Sequence, residues 1–298
     1  MTPAGIVGPV SVAGFLNLFH RKEEEEESEL IMTIKRAVLM IQRDEFKTAE
    51  QLLHVALKLA QEQQNDEGVT YIYDLMANLA FAQGEFGKAE KLFVQTMQRV
   101  IASGTPQDDI KVVHMSLKLA KICEEKKRFN DAEVGYDFCV KTLEKKVKKD
   151  PDDEDLLTLW AMALDWYARF LLDKNRLAEA FNYFMKAYKM CLKVNGEIHE
   201  QTVVLLNDLG SVSFLKGDHD GAMEFLTKAV EIGKHLPNMH DFSSVYVNLG
   251  NVCLQQKMFE EAKKHCKEGM KNAKRHSNPE GIQEATLCLD EVSKVWKH

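Results

Sequence analysis

The sequence predicts an all-α fold, a right-handed superhelical solenoid of about six helical hairpins followed by a capping helix, and three observations predict it. An alanine recurs at Ala49, Ala89, Ala132, Ala180, Ala222 and Ala262, in steps of 40, 43, 48, 42 and 40 residues. Twelve residues before each stands a small residue: Ala37, Ala77, Ala120, Ala168, Gly210 and Gly250. Four residues after each stands a larger one, Leu53, Phe93, Tyr136, Phe184, Leu226 or Cys266, and seven after a small one, Ala56, Thr96, Cys139, Ala187, Ala229 or Gly269. Only a repeated packing environment asks for that alternation of small seats and large plugs.

Offsets of four and seven share one face of a helix, so each alanine and its downstream partners mark one helix. The small residue twelve back lies on another. Between the two fall Asp44, Gly84, Lys127, Asn175, Gly217 and Lys257, of which glycine and asparagine tolerate the left-handed conformation that ends a helix. Thirteen before the alanine, Met76, Leu119, Tyr167, Leu209 and Leu249 are apolar, with Arg36 the exception in the first repeat. Small residues let two helix backbones approach, and the larger ones fill the groove beside them. This is the tetratricopeptide pattern, and its 34-residue repeats fall at 30–63, 70–103, 113–146, 161–194, 203–236 and 243–276. After the last repeat, Pro279 precedes the stripe Ile282, Ala285, Leu289, Val292 and Trp296, which predicts a capping helix over 279–296.

A solenoid adds repeats without enlarging a single core, so 298 residues need not mean two globular domains. The formal net charge of -7 argues against nucleic acid as the main partner. Lys141, Lys145, Lys146, Lys148 and Lys149, and Lys263, Lys264, Lys267, Lys271, Lys274 and Arg275, form two basic clusters that read as solvated helix faces, with contact to an acidic partner or anionic lipid head groups as the alternative. No GxGxxG, GxxxxGK[ST] or HExxH occurs, and His199-Glu200 lacks the second histidine of a zinc site. The run Asp150 to Asp155 lacks the glycine and distant glutamate of a calcium loop and reads as an acidic connection. The six cysteines contain no CxxC motif, which favours buried reduced thiols, with disulfides between stacked repeats as the alternative. No catalytic residue, cofactor, metal or small-molecule substrate is expected.

The N-terminus differs in kind. From Ala4 to Phe19 there is no charge, and the run is stopped by His20, Arg21 and Lys22 and by the acidic tract Glu23 to Glu27. Residues 1–29 therefore read as an apolar anchor with an acidic linker, membrane-directed through residues 5–19, or as a disordered apolar tail. The apolar stretch is shorter than the roughly 20 residues that usually span a bilayer. It lacks the basic start of a secretory signal and the arginines of a mitochondrial presequence.

Function is expected on the face lined by the first helices, where a solenoid offers a groove for a peptide. The repeat phase assigns Asp74, Asn78, Lys121, Asp165, Arg169, Asn207, Ser211, Asn248 and Asn251 to that groove. Side-chain amides suit a peptide backbone because each both donates and accepts.

The strings VTYIYDLMANLAFAQGEFGKAEKLF at 69–93, SLKLAKICEEKKRFNDAEVGYDFCVKTLE at 116–144 and ALDWYARFLL at 163–172 resemble the tetratricopeptide repeat protein 19 family of animal mitochondria. TYIYDLMANLAF and GYDFC are not dictated by the repeat itself. The resemblance implies a non-enzymatic inner-membrane factor that associates with respiratory complex III and helps clear N-terminal fragments of its Rieske iron-sulfur subunit. It also implies that residues 5–19 anchor the chain, although the family's Arg-rich presequence has no counterpart before Ala4. The segment NGEIHEQTVVLLNDLG at 195–210 is similar to the longer repeats of kinesin light chains, whose implied alternative is a soluble scaffold or cargo adaptor.

Overall fold

A computed structural model describes residues 28–295, and among them are thirteen helices and no strand. The N-terminal anchor expected at 5–19 and its acidic sequel lie outside the described residues, as does Trp296. In chain order the helices are α1 Glu29–Gln42, α2 Phe46–Glu62, α3 Asp66–Ala82, α4 Phe86–Ala102, α5 Ile110–Glu125, α6 Phe129–Lys149 and α7 Glu154–Asp173. They continue with α8 Leu177–Asn195, α9 Glu200–Leu215, α10 His219–Gly233, α11 Phe242–Gln255, α12 Phe259–Arg275 and α13 Pro279–Val295. Among the described residues no helix is long and apolar enough to cross a membrane.

The helices pair in sequence: α1 with α2, α3 with α4, α7 with α8, α9 with α10, and α11 with α12. Each tight turn is made by a residue in the left-handed region, and the six such positions are Asp44, Gly84, Lys127, Asn175, Gly217 and Lys257, with φ between 57° and 81°. An aspartate and two lysines thus adopt a conformation that favours glycine or asparagine. Their turns are closed by a backbone bond that spans the left-handed residue, as from Arg128 N to Cys123 O at 2.8 Å and from Met258 N to Cys253 O at 2.8 Å. At the opposite ends, side chains take up free N–H groups. Asn65 accepts from Gly68 N at 2.8 Å, and Asp218 accepts from Gly221 N at 3.0 Å.

Two motifs weighed in the sequence turn out to serve the same purpose. Asp153 accepts from Leu156 N at 2.9 Å, so the acidic run caps α7, while Lys193 Nζ binds Asp152 at 3.2 Å. His199 Nδ1 accepts from Gln201 N at 3.1 Å and caps α9.

The chain divides into two compact units, one ending at Gly135 and the other beginning at Tyr136. In the first, Ala37, Ala49, Leu53 and Ala56 share a core with Ile72 and Leu75, and Ala77, Ala89 and Phe93 share another with Val112 and Ile122. In the second, Tyr136 stacks on Tyr167 with centroids 5.7 Å apart, and Tyr167 meets Tyr183 at 4.8 Å. Helix α13 packs on α12 and α11, burying Ala285, Cys288 and Val292 against Ala262 and Cys266. All six landmark alanines and all six residues four positions after them have no exposed surface.

The steric basis of the repeat is explicit at Gly210. A Cβ there would lie 2.5 Å from Leu226 Cγ. At Gly250 the equivalent Cβ would lie 2.7 Å from Cys266 Sγ. Each glycine stands twelve residues before the landmark alanine and meets the plug four after it, so the small seat exists because the neighbouring helix occupies its Cβ space.

The cysteines require a correction. Reduced thiols were the favoured expectation, but Cys266 and Cys288 form a disulfide with Cα atoms 5.9 Å apart. The pairing has no signature in spacing, because it depends on α13 folding back onto α12. Cys139, Cys191 and Cys253 are buried outside that disulfide, and burial pushes the Cys139 thiol up to about 12.

Gly210→Ala should destabilise the protein by about 1–3 kcal/mol through overpacking against Leu226. Gly87→Ala in α4, where an added Cβ meets nothing within 4 Å, should be neutral or stabilising by up to about 1 kcal/mol. Urea unfolding of both variants checks the pair.

Candidate functional site

Within each unit the groove residues come from alternate helices, because each hairpin contributes its first helix to the same face. In the first unit these are α3 and α5. Asn78 Nδ2 donates to the backbone oxygen of Asp74 one turn earlier at 2.8 Å, and its Oδ1 accepts from Lys118 Nζ on α5. Lys118 also lies 5.8 Å from the centre of the Phe93 ring. The groups are half-buried, and their acidities shift accordingly. Burial raises Asp74 against the pull of Lys118, pushes Lys118 down to about 8, and together with the Lys118 charge pushes His114 down to about 3. His114 is therefore neutral at physiological pH.

Lys121, placed in the groove by repeat phase, does not join this cluster. Its Nζ bonds Glu124 at 2.7 Å and lies 3.2 Å from Glu125, both on its own helix. The cation that reaches Asn78 is Lys118 instead.

In the second unit the face is built by α7, α9 and α11. Asp165 and Arg169 are one turn apart on α7, and Arg169 Nε lies 3.2 Å from Asp165 Oδ1 and donates to Oδ2 at 3.3 Å. A second guanidinium nitrogen bonds Asp208 Oδ2 on α9. One cation thus serves two carboxylates. Asp165 is only 3% exposed, and its Oδ1 finds no donor in hydrogen-bond geometry. Burial pushes Asp208 up to about 7 against the opposing pull of Arg169, with the neighbouring charge of Asp165 adding to the rise. Burial alone would lower Arg169, but Asp208 and Asp165 hold it above its ordinary value.

Beside this triad runs a chain of amides. Asn248 Nδ2 on α11 donates to Asn207 Oδ1 at 2.9 Å and approaches Ser211 Oγ at 3.2 Å, and Ser211 Oγ donates to Asn207 O at 2.8 Å. Asn248, Asn251 and Ser211 also line a cleft of about 190 Å³ whose walls include Phe214, Leu215, Leu226 and Val252. Leu215 is 58% exposed at its edge. The arrangement can hold an extended chain, with amides for its backbone and a small apolar recess for a side chain.

Of the residues that repeat phase assigns to the groove, the structure brings together Asp74 and Asn78 in one unit and Asp165, Arg169, Asn207, Ser211, Asn248 and Asn251 in the other. Repeat phase missed Lys118 and Asp208. Both stand fourteen residues before their landmark alanine, Ala132 or Ala222, the offset that Asn248 also occupies before Ala262. That column sits one turn from the residues eleven back.

The basic clusters are surface features. Lys141 pairs with Asp137 at 2.7 Å, Lys148 with Glu144 at 3.3 Å and Lys271 with Glu268 at 3.8 Å, each within one helix.

Stacked helical hairpins with a polar face of this kind define a tetratricopeptide repeat protein, and residues 157–234 and 243–276 match the family described as Tetratricopeptide repeat. The fold is similar to that of the apo form of RapI, with a TM-score of 0.70 at 14% identity over 92% of this chain and 73% of that one. In sequence the chain is 35% identical over 292 residues to the Drosophila melanogaster protein named tetratricopeptide repeat protein 19 homolog, mitochondrial, covering 97% of this chain and 79% of the relative. It is 35% identical to the Homo sapiens tetratricopeptide repeat protein 19, mitochondrial, covering 91% of this chain and 74% of the relative. The chain belongs to the tetratricopeptide repeat protein 19 family.

The Asp208 shift has a consequence for stability. An acid whose folded pKa is raised binds its proton more tightly folded than unfolded, so this contribution to stability falls as pH rises from about 4 toward about 7. Asp208→Asn should remove that fall, and Arg169→Met should cost about 2–4 kcal/mol at pH 8 by leaving two carboxylates without their cation. Urea unfolding at pH 5 and pH 8 checks both.

Proposed function

We propose that this chain is a non-enzymatic protein of the mitochondrial inner membrane that binds respiratory complex III and preserves its integrity. It does so by supporting the clearance of N-terminal fragments of the Rieske iron-sulfur subunit. The observation that carries this reading is the match to relatives named mitochondrial along 91–97% of the chain. A generic repeat array would share the landmark positions alone. The groove geometry supports the same reading, because the Asn207–Asn248–Ser211 chain and its cleft suit a polypeptide. In this scheme residues 5–19 tether the repeats to the membrane and the first-helix face receives a subunit or a released peptide.

Affinity purification of the full chain from digitonin-solubilised mitochondria tests the assignment. Complex III subunits, the Rieske protein among them, should be enriched, and carbonate extraction should leave the chain with the membranes. Absence of complex III from the eluate, with release of the chain by carbonate, would overturn it in favour of a soluble adaptor of the kinesin-light-chain kind.

A further inference from the structure

The charged cluster of the second unit is one cation short. Asp165 and Asp208 share the single guanidinium of Arg169, and one oxygen of Asp165 is buried without a hydrogen-bond donor. Along α7 and α9, Glu154, Asp155, Asp165, Asp173, Glu200 and Asp208 stand against Arg169 alone. Helix α11 carries no charge, so nothing on the third first-helix of this unit balances them. One buried and one half-buried carboxylate with one counter-ion leave a negative field in a partly desolvated place, where a further cation is worth more than in water.

The neighbouring amides are also incompletely used. Asn248 spends its Nδ2 on Asn207 and Ser211, which leaves its Oδ1 to accept and the Asn207 amide nitrogen to donate. Asn207 immediately precedes Asp208 on α9, and Asn248 and Ser211 line the cleft between α9 and α11. A ligand held there by its backbone would run past the carboxylates.

From this geometry we infer that the α7–α9–α11 face holds an extended polypeptide segment that is basic, placing a lysine or arginine side chain against the Asp165–Arg169–Asp208 cluster and an apolar side chain in the Leu215 cleft. The inference rests on the proposed use of the face as a peptide groove and adds the sign of charge that it selects. The incoming cation supplies the missing counter-charge. A segment carrying glutamate at the same place would add a third carboxylate.

Fluorescence polarisation on the full chain tests it with three fluorescein-labelled sets of 12-residue peptides. The sets are randomised over Ala, Leu, Gln and Ser, with every fourth position fixed as Lys, Gln or Glu. The Lys set should bind on the order of tenfold more tightly than the Glu set at 0.1 M salt, and the gap should shrink at 0.5 M. Asp208→Asn should abolish the preference of the Lys set over the Glu set, and Asn248→Ala should weaken all three sets. The salt series on the native chain keeps the test decisive if Asp208→Asn does not fold. Equal or tighter binding of the Glu set would overturn the charge inference while leaving the peptide groove in place. Failure of every set to bind would overturn the groove itself.

Discussion

The structure depends on one contact made over and over: a small residue on the first helix of each hairpin receives a larger side chain from the second. At Gly210 the space of a Cβ is taken by Leu226, and at Gly250 by Cys266. The same seat is filled by alanine at Ala37, Ala77, Ala120 and Ala168, which are at most 2% exposed. This contact sets how closely the two helices of a hairpin approach. With Phe93, Tyr136, Phe184 and Leu226 fully buried, each plug contributes on the order of 1.5–3 kcal/mol of hydrophobic stabilisation. Function inherits its geometry from there, because the spacing of α7, α9 and α11 decides which side chains meet across the face.

What meets there is chosen by a different rule. The seats are occupied by whatever fits, whereas the exposed edge of the first helices carries side chains that bond across helices. Arg169 bridges α7 to α9, and Asn248 bridges α11 to α9. These bonds hold the face in register and leave part of each group's capacity open to a ligand. The carboxylates pay for that readiness, since Asp208 resists ionisation where it lies.

The repeat landmarks were legible because sterics leave little choice at them, so residue size recurs even when identity does not. The turns were partly legible: Gly84, Gly217 and Asn175 announce a left-handed residue, while Asp44, Lys127 and Lys257 are held there by the turn's backbone bonds. Most of the face could be placed by phase. Lys118 and Asp208 could not, because the offset they share is filled by Lys35, Leu75, Lys118, Trp166, Asp208 and Asn248, a column with no common size or polarity. The Cys266–Cys288 bond was illegible for another reason, since it needs the return of α13 onto α12.

The most direct measurement of the central contact is a double-mutant cycle at Gly210 and Leu226, using Gly210→Ala, Leu226→Val and the pair, read by urea unfolding. If Leu226 fills the space that a Cβ would need, trimming it should relieve part of the Gly210→Ala cost, with a coupling of about 0.5–3 kcal/mol. Strictly additive effects would mean that the two positions do not share that space, and the packing account would be contradicted.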